Sequence, residues 1–255
     1  MQNRAVGSFR SWLMRLVWIG AMLCATSAGA EIRYVAQAGQ TPAAPFTNWL
    51  SAASNLQDAA AASADGDLLL VSNGTYSGAV NLGARNLLFN GETSARLSGS
   101  IQGSGGFSKT GAGALQLAAS NTYSGATVVG GGTLATENGG AFWGTTSMVI
   151  MGGAAVTNTS GHTAAAGFWG GMRTGRVAVV TGAGSVWNVI TNLAIGQANY
   201  SVRNRLVISD GAQVRNHRAV IGDSGALAAS NSVLVAGTGT LWMCAGGLTV
   251  GNDGC

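Results

Sequence analysis

The residues able to do chemistry are few. His162 and His217 are the only histidines among 255 residues, and nine Asp and Glu accompany thirteen Lys and Arg. Each histidine sits in a Gly/Ser or Asn/Arg stretch, with no Cys, Asp or second His at metal-ligand spacing, so both read as solvated turn residues. No Gly-x-Ser-x-Gly elbow is present. Val179-Val180-Thr181-Gly182-Ala183-Gly184 has the look of a nucleotide-binding turn. However, such a turn opens a helix, and here Val186-Trp187-Asn188 follows instead. Polysaccharide lyases and hydrolases need clustered carboxylates, to hold Ca²⁺ or to exchange protons with the sugar bond. Between residues 68 and 209 the only acids are Glu92 and Glu137. Asp223 and Asp253 follow repeat-equivalent glycines, and stacked on neighbouring coils they would offer a cation two carboxylates, but turn aspartates are the better explanation. We therefore assign no catalytic, cofactor-binding or metal-binding residue.

Two further groups suit binding rather than catalysis. Arg173, Arg176, Arg203, Arg205, Arg215 and Arg218 are a modest basic run, suited to an anionic polysaccharide or to a plain solvated face. Trp143, Trp169, Trp187 and Trp242 could stack on sugars, but their recurrence at equivalent positions favours packing inside a repeat.

The elements that would hold these residues begin after an export signal. Arg4, Arg10 and Arg15 precede the apolar run Leu16–Ala25, and Ala28-Gly29-Ala30 is a small-residue cleavage site, so residues 1–30 read as a signal peptide. Leu23 before Cys24 argues against lipidation. Removing three of the thirteen basic residues leaves ten against nine acidic, a net charge of +1 in place of +4. Charge thus gives no argument for nucleic acid. Export permits a disulfide between Cys244 and Cys255, which the sequence alone does not establish.

The chain is rich in Gly, with 41, and only 9% of its residues are charged. For the mature part, 31–255, that composition fits short strands joined by tight turns. A strand at Ile32–Val35 is followed by one helix over 49–60, with Leu56, Ala59 and Ala60 on its buried face, Ser51 or Ser54 as its cap and Gly66 as its end. Leu68–Val71 and the Ser72-Asn73-Gly74-Thr75-Tyr76 turn come next. This order resembles the entry of pectate-lyase-like β-helix proteins, in which residues 31–78 would be the plug and first coil. After Gly78 only strands are expected, at 86–89, 95–97, 114–117, 127–129 and 148–150.

Internal repetition sets the architecture. Val180–Trp187 returns as Val235–Trp242 and Leu193–Gly196 as Leu248–Gly251, both at an offset of 55, with Ala219–Gly222 as a copy between. Ala141–Gly144 and Gly167–Gly170 echo at 26. A coil of about 25 residues follows, and the mature chain would make about nine of them, a rod on the order of 40 Å long.

Residues 101–134 carry Gly103, Gly105, Lys109, Gly111, Gly113, Leu115, Leu117, Asn121, Thr122, Tyr123, Gly125, Thr127, Val129, Gly131 and Leu134 in the order of the autotransporter-associated β-strand repeat. This segment closely resembles that family, and the Trp-bearing repeats over 170–255 look like those of related bacterial surface proteins. The resemblance implies an all-β, right-handed parallel β-helix, exported to the cell surface or outer membrane. It supplies no catalytic site. The chain stops within a repeat at Cys255, so it reads as a fragment, with the expected outer-membrane translocator absent. The function expected is that of a structural or adhesin-like passenger without catalysis, contacting extracellular polysaccharide or cell-surface and matrix components. The alternatives are a polysaccharide lyase or hydrolase, and a passive spacer for a domain beyond Cys255.

Overall fold

The computed structural model describes residues 30–137, 141–142, 145–158, 174–196, 202–222 and 230–251. All of these from residue 31 on lie in the compact unit Glu31–Cys255. Residues 1–29, which carry most of the expected signal peptide, lie outside the described set, as do His162, Trp143, Trp169, Arg173, Asp223, Asp253 and Cys255.

Among the described residues every strand pair is parallel, and from Leu68–Val71 to Leu241–Cys244 successive strands pass from one sheet to another, so the chain winds as a parallel β-helix. Face A has nine described strands, running from Ile32–Val35 to Ser232–Ala236, each paired with the strand one turn away. Face B has eight in line, from Thr75–Tyr76 to Leu241–Cys244. A short third face is built from Val80–Asn81, Ile101–Gln102, Ser120–Asn121 and Ala141–Phe142. The pleat places alternate side chains inside. In Ala114–Leu117, Leu115 and Leu117 are buried and Gln116 is exposed. Inward columns of this kind form the core. One runs Leu69, Leu87, Phe107, Thr127, Met148, Ala178, Leu206, Val233.

The nine described strands of face A fit the coil number expected, but the rungs between them are not uniform in length. The steps from Leu87 to Phe107, Thr127 and Met148 are offsets of 20, 20 and 21 in sequence. Those from Met148 to Ala178, Leu206 and Val233 are 30, 28 and 27. The single coil length read from the sequence is thus the average of two regimes. The column that holds Leu115, Leu134 and Val156 continues through the longer rungs as Trp187, Val214 and Trp242. Trp187 and Trp242 are two rungs apart in one column, which is the physical content of the longer sequence repeat. In the same way Leu193, Ala219 and Leu248 stack in register in the face B sheet, past the bulge in the strand Val186–Ile195.

The first rung is closed differently from expectation. The segment 49–60 is not one helix. Trp49–Ser51 is a single 3₁₀ turn capped by Asn48, and the α-helix spans Leu56–Ala61. Asn55, rather than Ser51 or Ser54, caps it by accepting the Asp58 N–H at 2.8 Å. The helix ends at Ala61, ahead of Gly66, which serves the next turn with φ +91°. Leu56, Ala59 and Ala60 are buried as expected and join the core with Val35, Leu69 and Leu82. The helix packs on Ile32–Val35, the first strand of face A, where its apolar face covers core that a bare first rung would expose.

Candidate functional site

The residues of the expected motif do architectural work. Lys109, the chain's one lysine, points inward between Phe89 and Val129 and is fully buried. Its stem lies in the core while Nζ reaches the turn, donating to the carbonyls of Thr110, Gly111 and Gly131 at 2.8, 2.9 and 3.3 Å. Burial pushes this ammonium below the usual lysine range, and the Glu92 carboxylate acts against that. Gly105 lies so close to the preceding rung that an added Cβ would stand 1.6 Å from the Arg85 carbonyl oxygen. Asn121 accepts the Ile101 N–H at 3.0 Å and donates to Ala119 O at 2.9 Å, joining two rungs. Tyr123 is buried beside Phe107, its hydroxyl 2.6 Å from Thr127 Oγ1, which in turn donates to Thr145 Oγ1 at 3.1 Å.

Burial pushes the Tyr123 phenol far above the ordinary tyrosine range, and the Tyr76 phenol up as well. The folded state therefore holds these protons more tightly than the unfolded chain does. The stabilisation is complete below pH ~10, the ordinary value, and is lost as pH rises toward the folded values. A spectrophotometric titration in alkali is expected to ionise Tyr123 only as the far-ultraviolet β signal disappears. Ionisation with the β signal intact would contradict its burial.

The later rungs use the same devices with different residues. Trp187 Nε1 donates to Asn158 Oδ1 at 2.9 Å, and Trp242 Nε1 to Asn216 Oδ1 at 2.7 Å. In each case the indole reaches one rung back. Asn231 Oδ1 accepts the Asn204 N–H, and Asn204 Oδ1 the Arg176 N–H, both at 3.0 Å. Asp210, at φ +56°, stands in the turn where Gly182 and Gly237 stand on the adjacent rungs, and its carboxylate accepts from Thr181 and Ser209 at 2.9 Å. The glycine turn of Val179–Gly184 is thus a rung corner. Trp187 is buried and Trp242 half-buried against the core, so neither presents a ring face to a sugar.

The described carboxylates are scattered. Glu31 and Asp67 meet Arg33, Asp65 lies 4.0 Å from Arg85, Asp58 is at the helix start and Glu137 pairs with Arg96. Among the described residues no three of His, Cys, Asp and Glu come together as a metal could require. The basic run does not form one surface. Arg176 is buried, Arg205 lies on face A, and Arg215 and Arg218 lie on the face B strand Gln213–Ile221.

That strand borders an open depression of about 460 Å³, lined by Thr157, Asn188, Val189, Ile190, Arg215, Asn216, His217 and Ala245. Sequence reading placed His217 in a turn. It instead occupies the continuous strand Gln213–Ile221, exposed on its outer side. The groove itself was not read from the sequence. Its one signal is the length of the strand Val186–Ile195, which takes one more residue between Val189 and Asn192 than its neighbour takes between Asn216 and Arg218. Such a bulge re-aims a side chain, and here Ile190 stands 57% exposed.

Parallel rungs, a capped first turn and turn-bound Lys, Asn and Gly define a β-helical repeat protein. Residues 107–135 match the model of the passenger-associated-transport-repeat, a match that overlaps most of the segment 101–134 read from the sequence as an autotransporter-type repeat. No curated protein and no solved structure matches the chain.

Proposed function

We propose that the chain is part of an exported passenger: a rigid β-helix that presents its long outer faces to polysaccharide or cell-surface components and catalyses nothing. The observation that carries this reading is the passenger-associated-transport-repeat at 107–135, embedded in an unbroken ladder on face A. The side chains of that repeat are spent on joining rungs, as Lys109 and Asn121 are, rather than on an outer surface. The scatter of the described carboxylates supports the non-catalytic half of the proposal. The signal peptide read over 1–30 supports export.

Two measurements test it. Protease treatment of intact producing cells is expected to remove the protein from the surface, and deletion of residues 2–30 to retain it inside. Incubation of the purified chain with acidic and neutral polysaccharides is expected to leave their chain lengths unchanged. Time-dependent shortening of any of them would overturn the non-catalytic reading in favour of a lyase or hydrolase.

A further inference from the structure

We propose that cleavage after Ala30 completes the first rung: the α-ammonium group created at Glu31 pairs with the buried Asp67 carboxylate and holds the N-terminal strand in its ladder. The inference rests on the export reading, which puts the cut at that bond, and goes beyond it by giving the new terminus a structural role. Three observations carry it.

The first is the position of the nitrogen. Glu31 N–H already donates to Asp67 Oδ1 at 2.9 Å. Leu68 N–H donates to Glu31 O at 2.9 Å, so Glu31 stands in the ladder directly ahead of the Ile32–Leu68 pair. Hydrolysis of the Ala30–Glu31 amide by a peptidase adds the oxygen of water to the Ala30 carbonyl carbon and leaves Glu31 N as a primary amine. A free α-amino group has a pKa of about 8, so at neutral pH the amine takes up a proton. The charge then appears on the atom from which the carboxylate already accepts. A cut one residue earlier would put it ~3.5 Å further along the chain.

The second is a deficit of positive charge. Asp67 is 2% exposed. Its other oxygen, Oδ2, accepts the Ala64 N–H at 2.9 Å and lies 3.5 Å from Arg33 Nη2. Arg33 is shared, because its Nη1 lies 2.6 Å from Glu31 Oε2. In the uncut chain these two carboxylates face one guanidinium. A carboxylate removed from water needs a cation of its own. The α-ammonium group brings the two signs into balance.

The third is the place in the fold. Ile32–Val35 ends the order of face A and has one strand partner, Leu68–Val71. Arg33 Nε also donates to Ala62 O, the residue after the helix Leu56–Ala61, at 3.2 Å. The cluster of Glu31, Arg33 and Asp67 thus ties the edge strand to the second strand and to the helix that covers the core. Chain ends open first, so a charged bond at the first residue acts where the solenoid frays.

The test compares purified chains of defined start: 31–255, with the ammonium group on Glu31, and 30–255, with it on Ala30. Lys109 is the one lysine and is buried, so in the folded chain an acylating reagent meets the α-amino group alone. Acylation at neutral pH is expected to be about tenfold slower in 31–255. Amide hydrogen exchange over Ile32–Val35 is expected to be slower by a similar factor, as for a charge-assisted hydrogen bond in place of a neutral one. Asp67→Asn is expected to abolish both differences, and denaturant to abolish the first. Equal rates in the two chains, or differences that survive Asp67→Asn, would overturn the inference. The comparison of the two starts decides it even where the variant does not fold. Sequencing of the exported protein from its N-terminus is expected to begin at Glu31. Export with another first residue would overturn the inference and leave the passenger reading standing. Retention inside the cell would overturn the passenger reading, and the purified chains would still decide the ion pair, so the two fail separately.

Discussion

Gly105→Ala is expected to cost more than ~4 kcal/mol, the range reserved for severe core lesions. Its Cβ would stand 1.6 Å from Arg85 O and 2.6 Å from Arg85 C, which are backbone atoms and cannot rotate away. Relief requires the rungs to part, and the inter-rung bonds beside it would part with them: Gly105 N–H to Gly83 O at 2.9 Å and Leu87 N–H to Gly106 O at 3.0 Å. Gly130→Ala is the matched control. The new methyl would meet only Thr110 Cγ2 at 3.7 Å and Lys109 O at 4.0 Å, so the change is expected to stay within ~0.5 kcal/mol. Denaturant melts of the two variants measure the difference. Equal stability would mean that the rungs are not in close contact at Gly105.

Lys109→Ala is expected to destabilise the chain by about 3–5 kcal/mol. It removes a fully buried stem from the column between Phe89 and Val129 and frees three turn carbonyls at once. Lys109→Met separates the two contributions. Methionine restores most of the stem and none of the donors, so its cost is expected to be about 1–3 kcal/mol, for the carbonyls alone. The same geometry makes the side-chain amine inaccessible. Amine-directed acylation of the folded protein is expected to leave Lys109 unmodified until the chain unfolds. A Lys109→Met cost as large as that of Lys109→Ala would show that the stem packing contributes nothing.

Much of the fold was legible because a solenoid writes its period into the chain. The recurrence of Val180–Trp187 as Val235–Trp242 implied a long repeat of two rungs, and the ladder Trp187, Val214, Trp242 is that statement in coordinates. Strands such as Ala114–Leu117 and Ala95–Leu97 follow from alternation and Gly-marked corners. The rung lengths were less legible. The clearest repeats lie in the longer rungs, whereas the rungs around Phe107 and Thr127 are the short ones. Averaging the two hid the change of rung length. The cap was read in outline but not in detail, since the turn and the helix start at Asn48 and Asn55, whose side chains accept the N–H groups of Ser51 and Asp58.

The groove was the least legible feature, for a physical reason. Thr157, Asn188 and Arg215 are distant in sequence and meet only because successive rungs place them in one outward column. Ile190 reads as one more core aliphatic until the one-residue bulge turns it outward. The arginine run pointed to the right half of the chain but overstated its unity, because inward burial claims Arg176 and face A claims Arg205.

The winding itself can be measured by pulsed electron resonance between spin labels at exposed outward positions on face B. Gln116 and Arg215 lie in one column with Ala135, Thr157 and Asn188 between them. A Gln116/Arg215 pair is expected to give a narrow distance near ~19 Å, four strand spacings. Moving the second label from Arg215 to Asn188 is expected to shorten it by ~4.8 Å. A broad distribution, or a distance that does not step by one strand spacing, would contradict the stacked-rung architecture on which every assignment above depends.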